Sequence, residues 1–241
     1  MESESAQTLR QGIIMTGSIA REIISAIGKD KVLTEIEELS CYSYDCSTYQ
    51  RIPELVVLAK TTADVVAVLK VAHRQKVPVV PRGNATNLCG ATAPLGGGIV
   101  LNVLSTNKIL EIDKENLTAT CQLGVITADF QNAVEAEGLF YPPDPASLQF
   151  CTLGGNVAFD SGGPRAVKYG VTRNYVLGLE TVLANGQILR TGGKTTKDVS
   201  GYNLTQLLVG SEGALGVFTE MTLKLIGKPE AKRTLICSCD N

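Results

Sequence analysis

The sequence predicts an α+β fold of two lobes, a small α/β lobe followed by a larger α+β lobe built on a mixed or antiparallel sheet. Three observations predict it. A strand, a helix and a second strand follow one another between residues 54 and 80. Two strand-like runs flank Asn185-Gly186 further along the chain. Three glycine-rich segments separate these pieces, and the longest, "PRGNATNLCGATAPLGGG" at 81–98, joins two short β-branched runs. Loops of that length in compact domains are usually functional or disordered.

Composition narrows the class. Of 241 residues, 44% are hydrophobic and 19% charged, which suits a packed core and excludes gross disorder. A net charge of −2 excludes a general nucleic-acid binder, which needs clustered Lys and Arg. The stretch "GIIMTGSIAREIISAIG" is interrupted by Arg21 and Glu22, and the chain begins "MESES". The expectation is therefore an amphipathic helix, with no membrane span or signal peptide, and a cytoplasmic protein. Seven cysteines stand at 41, 46, 89, 121, 151, 237 and 239, in spacings that match no paired zinc pattern. They read as reduced thiols, with Cys237-Ser-Cys239 in a frayed terminus and no metal site.

The elements follow in order. Residues 8–28 read as a helix, and "ELVVLAK" (54–60) as a buried strand. "TTADVVAVLKVAHRQK" (61–76) has Thr61 or Thr62 as cap and apolar residues at 65, 66, 68, 69 and 72, a helical period. "VPVV" (77–80) completes a βαβ unit, which buries a parallel pair under its crossover helix. "GIVLNV" (98–103) and "TATCQL" (118–123) are further strands, and "TADFQNAVEAEG" (127–138) is a helix stopped by glycine. "YPPDPASLQFCTLGG" (141–155) reads as a polar, Pro-rich stretch. "VLGLETVLANGQILRTGG" (176–193) reads as a hairpin with a type I′ turn at Asn-Gly, and "GALGVFTEMTLKLIG" (213–227) as a strand entered through glycines. The expected division is an N-terminal helical segment (1–34), lobes of about 35–105 and 106–228, and a tail (229–241).

The common nucleotide motifs fail. No window fits G-x-G-x-x-G, and "GGKTT" (192–196) has Ile188 where a phosphate loop needs glycine, so it reads as a structural turn. What remains is three loops, each able to wall a ligand. In 81–87, Pro81 fixes the entry, Gly83 permits positive φ, successive N–H groups can converge on an anion, and Arg82 is the nearby cation. In 142–155, Asp144 and Ser147 offer hydrogen bonds and "TLGG" lets backbone approach closely. "GSEGALGV" (210–217) does the same. Together they point to one large elongated ligand.

These segments, in this order, resemble the flavin domain of the vanillyl-alcohol-oxidase/PCMH superfamily, and within it the branch of D-lactate dehydrogenase and the glycolate oxidase D subunit. The resemblance is carried by "VPVVPRGNATNLCGAT" (77–92), "PPDPASLQFCTLGGNVAFDSGGPRAVKYGVTRNYVLGLETVLANGQIL" (142–189) and "TKDVSGYNLTQLLVGSEGALGVFTEMTLKL" (196–225). It covers roughly residues 35–228 and implies a two-lobed PCMH-type fold with FAD between the lobes. On that resemblance Pro81, Arg82, Gly83, Asn84, Ala85, Thr86 and Asn87 would cradle the pyrophosphate. Pro145, Ala146, Ser147, Leu148, Gln149, Phe150 and Cys151, with Thr152, Gly154, Gly155 and Asn156, would line the isoalloxazine and ribityl chain. Ala158, Phe159, Asp160, Ser161 and Gly162 would continue that wall. Glu212, Gly213, Ala214, Leu215, Gly216, Val217 and Phe218 would reach the adenosine half, with Val217 near the adenine.

The sequence also departs from the family pattern. Ala85 and Asn87 stand where the family often has glycines, and a left-handed Ala85 costs about 1 kcal/mol. Members with covalent flavin place a histidine in the first loop, whereas His73, the single histidine, lies on a predicted helix and reads as a surface residue. The implied FAD is therefore non-covalent, and Cys151 reads as packing. Members also carry a C-terminal cap domain that supplies substrate-binding and catalytic residues. This chain stops at "CSCDN", so catalytic residues are expected outside it, in a cap or a partner chain. The implied reaction is oxidation of a 2-hydroxy acid of the D-lactate or glycolate type by hydride transfer to flavin. Electrons would pass on to an electron-transfer flavoprotein, an iron–sulfur subunit or a quinone. Two alternatives stand beside it: an NADPH-dependent UDP-sugar enolpyruvyl reductase, and a non-catalytic flavin-binding subunit.

Overall fold

The computed structural model describes residues 17–231 and 233–238. Helix α1 (17–27) buries Ile19, Ala20, Ile23 and Ile27 on one face, so the expected first helix is present from 17; residues 8–16 lie outside the described residues. After it come β1 (Val32–Leu33), α2 (Ile36–Ser40), β2 (Leu55–Leu58), α3 (Thr62–Gln75), β3 (Val79–Arg82) and β4 (Ile99–Asn102). These build a four-stranded sheet in the order β1-β2-β4-β3, in which β2, β4 and β3 run parallel and β1 antiparallel.

That order corrects one expectation. β2 and β3 are parallel but not adjacent, because β4 inserts between them and pairs Ile99 with both Leu55 and Val79. All four residues of β4 are buried, so this strand takes the central place, where both faces are covered. The long segment from 83 to 98 is thus itself a connection between parallel strands.

α3 forms where its cap dictates. The Asp64 N–H donates to Thr61 Oγ1 (3.1 Å), and the Asp64 carboxylate accepts from the Thr61 N–H (3.1 Å), a reciprocal capping box. The same carboxylate accepts from the Lys60 N–H (2.9 Å) and Lys31 Nζ (2.7 Å). Val65, Val68, Leu69 and Ala72 form the buried stripe.

The chain continues through β5 (Ile109–Asp113), β6 (Thr118–Gln122), α4 (Thr127–Ala136), β7 (Leu139–Phe140), α5 (Leu153–Phe159) and α6 (Ala166–Tyr169). It then forms β8 (Val176–Val182), β9 (Ile188–Gly192), α7 (Leu204–Leu208), β10 (Val217–Lys224) and β11 (Ile226–Gly227). A five-stranded antiparallel sheet has the order β5-β6-β10-β8-β9, and β7 pairs with β11. In β10, Met221 and Leu223 face inward while Glu220, Thr222 and Lys224 alternate outward, the pattern of a half-covered antiparallel strand. One continuous hydrophobic cluster joins the two sheets, from Val57, Val68 and Leu101 to Phe130, Cys121 and Leu223. Cys121 and Cys151 are buried thiols, while Cys41, Cys46 and Cys89 are exposed ones.

Two further expectations change. The hairpin turn at Asn185-Gly186 is not type I′, since only Gly186 of the pair takes positive φ (80°). Leu183 accepts from the Gly186 N–H and donates to Gln187 O, both at 2.8 Å, which is a type I turn followed by a left-handed glycine. The Asn185 side chain accepts from the Gln187 N–H (3.0 Å) and stabilises that path. The stretch at 141–155 is also less uniform than its composition suggests, because α5 starts inside it. Two adjacent glycines in a helix cost about 1 kcal/mol each, so propensity argued against it. Packing decides otherwise: a Cβ on Gly154 would sit 2.4 Å from the Leu123 Cβ, so only glycine lets the helix approach. The "GGKTT" segment is a tether, its Lys194 Nζ held by Glu111 (2.8 Å) and Asp113 (3.0 Å) of β5.

Asp64 generates a stability prediction. Burial opposes ionisation of its carboxyl, but hydrogen bonds from Lys31 and the backbone outweigh burial and hold the pKa below the ordinary carboxylate value. A carboxylate with a lowered folded-state pKa stabilises the fold above about pH 4, and that contribution is lost as pH falls through the folded pKa. Asp64→Ala should cost about 2–3 kcal/mol at pH 7 and progressively less below pH 4, read by denaturant unfolding at both values.

Candidate functional site

The site starts where β3 ends, at the carboxyl edge of the parallel strands, the usual position for ligands in open α/β sheets. There the loop leaves the sheet and loses its ladder partners. Among the described residues, the backbone N–H groups of Gly83, Asn84, Ala85, Thr86 and Asn87 donate to no protein acceptor. Ala85 is buried in the left-handed region at φ 53°, the strained conformation its replacement of a glycine leads one to expect. Asn87 is not left-handed. Its side chain donates to Asp45 Oδ2 (2.7 Å) and accepts from Thr92 Oγ1 (2.8 Å), so it anchors the end of the loop through bonds that glycine could not make.

The three glycine-rich segments meet. A Cβ on Gly83 would lie 2.7 Å from Thr152 Oγ1, and a Cβ on Gly213 would lie 2.9 Å from Pro81 Cγ. Asn84 Nδ2 donates to the Phe150 carbonyl (2.7 Å). Thr152 Oγ1 also caps α5 by accepting from the Gly155 N–H (3.1 Å). The carboxamide of Asn156 reaches across to Thr127 Oγ1 (2.7 Å) and fixes α5 to α4.

Between these segments runs a trough of three adjoining cavities. The first, about 390 Å³, is lined by Gly83 to Cys89 and Thr92 on one side and by Ser147, Cys151, Thr152, Gly155, Asn156, Phe159 and Ser161 on the other. A narrow second cavity of about 50 Å³ shares Gly83, Thr152, Gly155 and Phe159 with the first, and adds Pro81, Arg82, Ala158, Glu212, Val217 and Phe218. The third, about 550 Å³, shares Pro81, Gly213, Gly216 and Val217 with the second and extends over Ala214 to the C-terminal turn of α3.

Some sequence-named residues do not line this trough. Pro145, Ala146, Leu148, Gln149 and Phe150 form a turn beside it, with the Leu148 N–H on the Pro145 carbonyl (2.9 Å) and Phe150 68% exposed. Asp160 is left-handed (φ 49°) and its carboxylate pairs with Arg173, so it ends α5. Gly162 and Leu215 also lie outside the lining. Other lining residues were not named from the sequence: Leu88, Cys89, Thr92, Val103, Leu123, Ala184 and, from α3 and the cap that ends it, Leu69, Ala72, His73 and Lys76. His73 is exposed on its helix, as expected, yet borders the third cavity. No linear pattern marks the end of α3 as a wall; the sheet order puts it there.

Arg82 takes an orientation that its sequence neighbours did not suggest. It is buried, with Nη1 donating to the carbonyls of Tyr44 (2.6 Å) and Thr92 (3.2 Å), and its guanidinium lies over the Tyr42 ring at 5.7 Å. Burial pulls its pKa down and the Asp45 charge opposes that. The expected counter-cation is thus engaged in tying two loops behind the cradle. Asp45 is the matching charge: burial opposes its ionisation, but bonds from Ser47, Asn87 and Thr92 hold its pKa low. Cys151 is buried with Sγ on Thr127 Oγ1 (3.3 Å), a packing role. Among the described residues no group of three His, Cys, Asp or Glu side chains could hold a metal ion, and no helix is long and apolar enough to cross a membrane.

Comparison with known proteins places this geometry. Residues 53–192 match the FAD binding domain family. The chain is 51% identical over 229 residues to glycolate oxidase subunit GlcD of Bacillus subtilis, covering 95% of this chain and 49% of that protein. It is 46% identical over 189 residues to D-lactate dehydrogenase of Anaerostipes hadrus, covering 78% of this chain and 40% of that protein. The chain therefore spans about half the length of the curated relatives it matches. The solved structure of p-cresol methylhydroxylase superposes with a TM-score of 0.77 at 24% identity, covering 90% of this chain and 44% of that one, which shows the PCMH-type fold. With a family match across most of both sheets and relatives this similar, the chain belongs to the FAD binding domain family, and FAD is its cofactor.

Proposed function

We propose that the trough holds FAD non-covalently, and that the chain is the flavin domain of an oxidoreductase acting on a 2-hydroxy acid of the D-lactate or glycolate type. One observation carries the reading: five backbone amides without protein acceptors, from Gly83 to Asn87, belong to residues that line a trough where all three glycine-rich segments converge. The residues present fit the cofactor. Amides without protein acceptors suit a diphosphate, and each charge-assisted bond contributes about 1.5–3 kcal/mol. Glycines 83, 155 and 213 line the trough where an added Cβ would press on the Thr152 or Pro81 side chain or enter the cavity. The relatives named glycolate oxidase subunit and D-lactate dehydrogenase support the substrate class.

In this reading Gly83 to Asn87 bind the pyrophosphate. Ser147, Cys151, Thr152, Asn156, Phe159 and Ser161 wall the ribityl and ring end. Glu212 to Phe218 bound the adenosine half, with Val217 against the adenine. The Arg82 bonds to the Tyr44 and Thr92 carbonyls and the Asn87 bridge between Asp45 and Thr92 hold the cradle rigid, so its dipoles are oriented before the ligand arrives. Cys151 and Phe159 keep water from that wall. When bound, FAD supplies the two-electron acceptor for the hydride leaving the α-carbon of the hydroxy acid. The electrons then go to an electron-transfer flavoprotein, an iron–sulfur subunit or a quinone. Exposed thiols at Cys41, Cys46 and Cys89 suit a reducing compartment, and we place the protein in the cytoplasm.

Reconstituted with FAD, the chain should show a flavin absorption band, and denaturation should release the flavin to the supernatant. Because its relatives are about twice as long, turnover of D-lactate or glycolate with a dye acceptor should be slight. Failure to retain flavin would overturn the reading. Gly155→Leu should lower FAD affinity at least tenfold, read by flavin fluorescence titration. Thermal unfolding of the apo-protein separates loss of binding from loss of fold, since a Cβ at 155 also lies 3.3 Å from the Thr152 Oγ1 that caps α5. Ala85→Gly should retain FAD and raise the unfolding free energy by up to about 1 kcal/mol, because it relieves a left-handed alanine.

A further inference from the structure

A fourth cavity, about 470 Å³, lies beside the β7–β11 pair and shares no lining residue with the trough. Its charge is unbalanced. Arg165, Lys168, Lys228 and Arg233 line it against a single carboxylate, Glu135, which Lys228 Nζ already engages at 3.0 Å. Arg165 gives Nε to Asp144 (3.1 Å), but its Nη1 is buried without a hydrogen-bond acceptor. The cations sit on an aromatic wall. The Arg165 guanidinium lies over the Phe140 ring at 5.2 Å and Lys168 Nζ over the Tyr169 ring at 4.9 Å, and the two rings meet edge to face at 5.8 Å. An aromatic face holds a cation without using up its N–H donors. Arg165 and Lys228 have carboxylate partners in Asp144 and Glu135, which leaves Lys168 and Arg233 as the uncompensated charges, and an incoming anion relieves their repulsion. The volume lies in the range of small-molecule sites.

We propose that this cavity is a second binding site, for a small molecule that carries a phosphate or carboxylate on an apolar body. The anionic group meets Lys168, Arg233 and the free donor capacity of Arg165, and the apolar body lies on Phe140, Tyr169 and Pro229. The site is separate from the cofactor trough and does not depend on it.

The test is thermal unfolding of the FAD-saturated chain in sodium phosphate, and separately in sodium benzoate, against sodium chloride of equal ionic strength. FAD saturation keeps the trough amides from binding the probe. One of the two anions should raise Tm by about 5–10 °C at a hundredfold excess over its Kd, and which one does so identifies the group bound. The double variant Lys168→Glu, Arg233→Glu should lose the rise. Both side chains are exposed, so its flavin absorbance and its Tm in chloride should stay as in the parent. No rise beyond chloride with either anion, or a rise that survives in the double variant, would overturn the proposal.

Discussion

The architecture depends on one close approach. The loop leaving β3 passes the cap of α5 so tightly that Gly83 has no room for a Cβ against Thr152. This contact joins the parallel sheet to the first helix of the stretch following the Pro-rich turn, and the trough opens along it. Thr152 serves both sides, bonding the α5 backbone through Oγ1 and setting how near the loop may come. A glycine faces a capping hydroxyl here because the loop backbone runs directly against the Thr152 side chain, and any larger residue would push the two segments apart.

The electrostatics follow from the same packing. A positive side chain aimed at a diphosphate would be the simplest arrangement, but Arg82 is turned inward onto the carbonyls of Tyr44 and Thr92, with Asp45 as its counter-charge. The loop is thereby rigidified from behind, and its front presents main-chain dipoles in place of a flexible cation. Fixed dipoles need little reorganisation when an anion arrives, and salt screens them less than exposed charges. Asn87 belongs to that support, linking Asp45 and Thr92 through its carboxamide. The two departures from a glycine-rich loop therefore differ in kind: Ala85 carries backbone strain, whereas Asn87 adds hydrogen bonds.

Much of this was legible in the residues. The α3 cap, the apolar stripes of α3 and α4, the buried β2 and the entry of β10 through glycines all follow local rules, and the structure has them close to where those rules put them. The short pieces were not legible. β1, α2, β5, β7, α6 and α7 span too few residues for a period to emerge; the strands among them exist because neighbouring strands supply their hydrogen bonds, and the helices are little more than a single turn each. α5 was hidden by its glycines, which lower helix propensity yet are required by the contact with Leu123.

The sequence by itself determined the fold class, the three glycine-rich segments and the kind of ligand they suit, since capping, periodicity and backbone freedom are local properties. Only the tertiary structure decided which of the named residues share a wall. It put β4 between β2 and β3, brought the end of α3 and Ala184 to the third cavity, turned Arg82 inward and, of the turn from Pro145 to Phe150, left all but Ser147 beside the trough. Those outcomes rest on contacts between residues tens of positions apart, whose geometry is fixed by packing two sheets against one core.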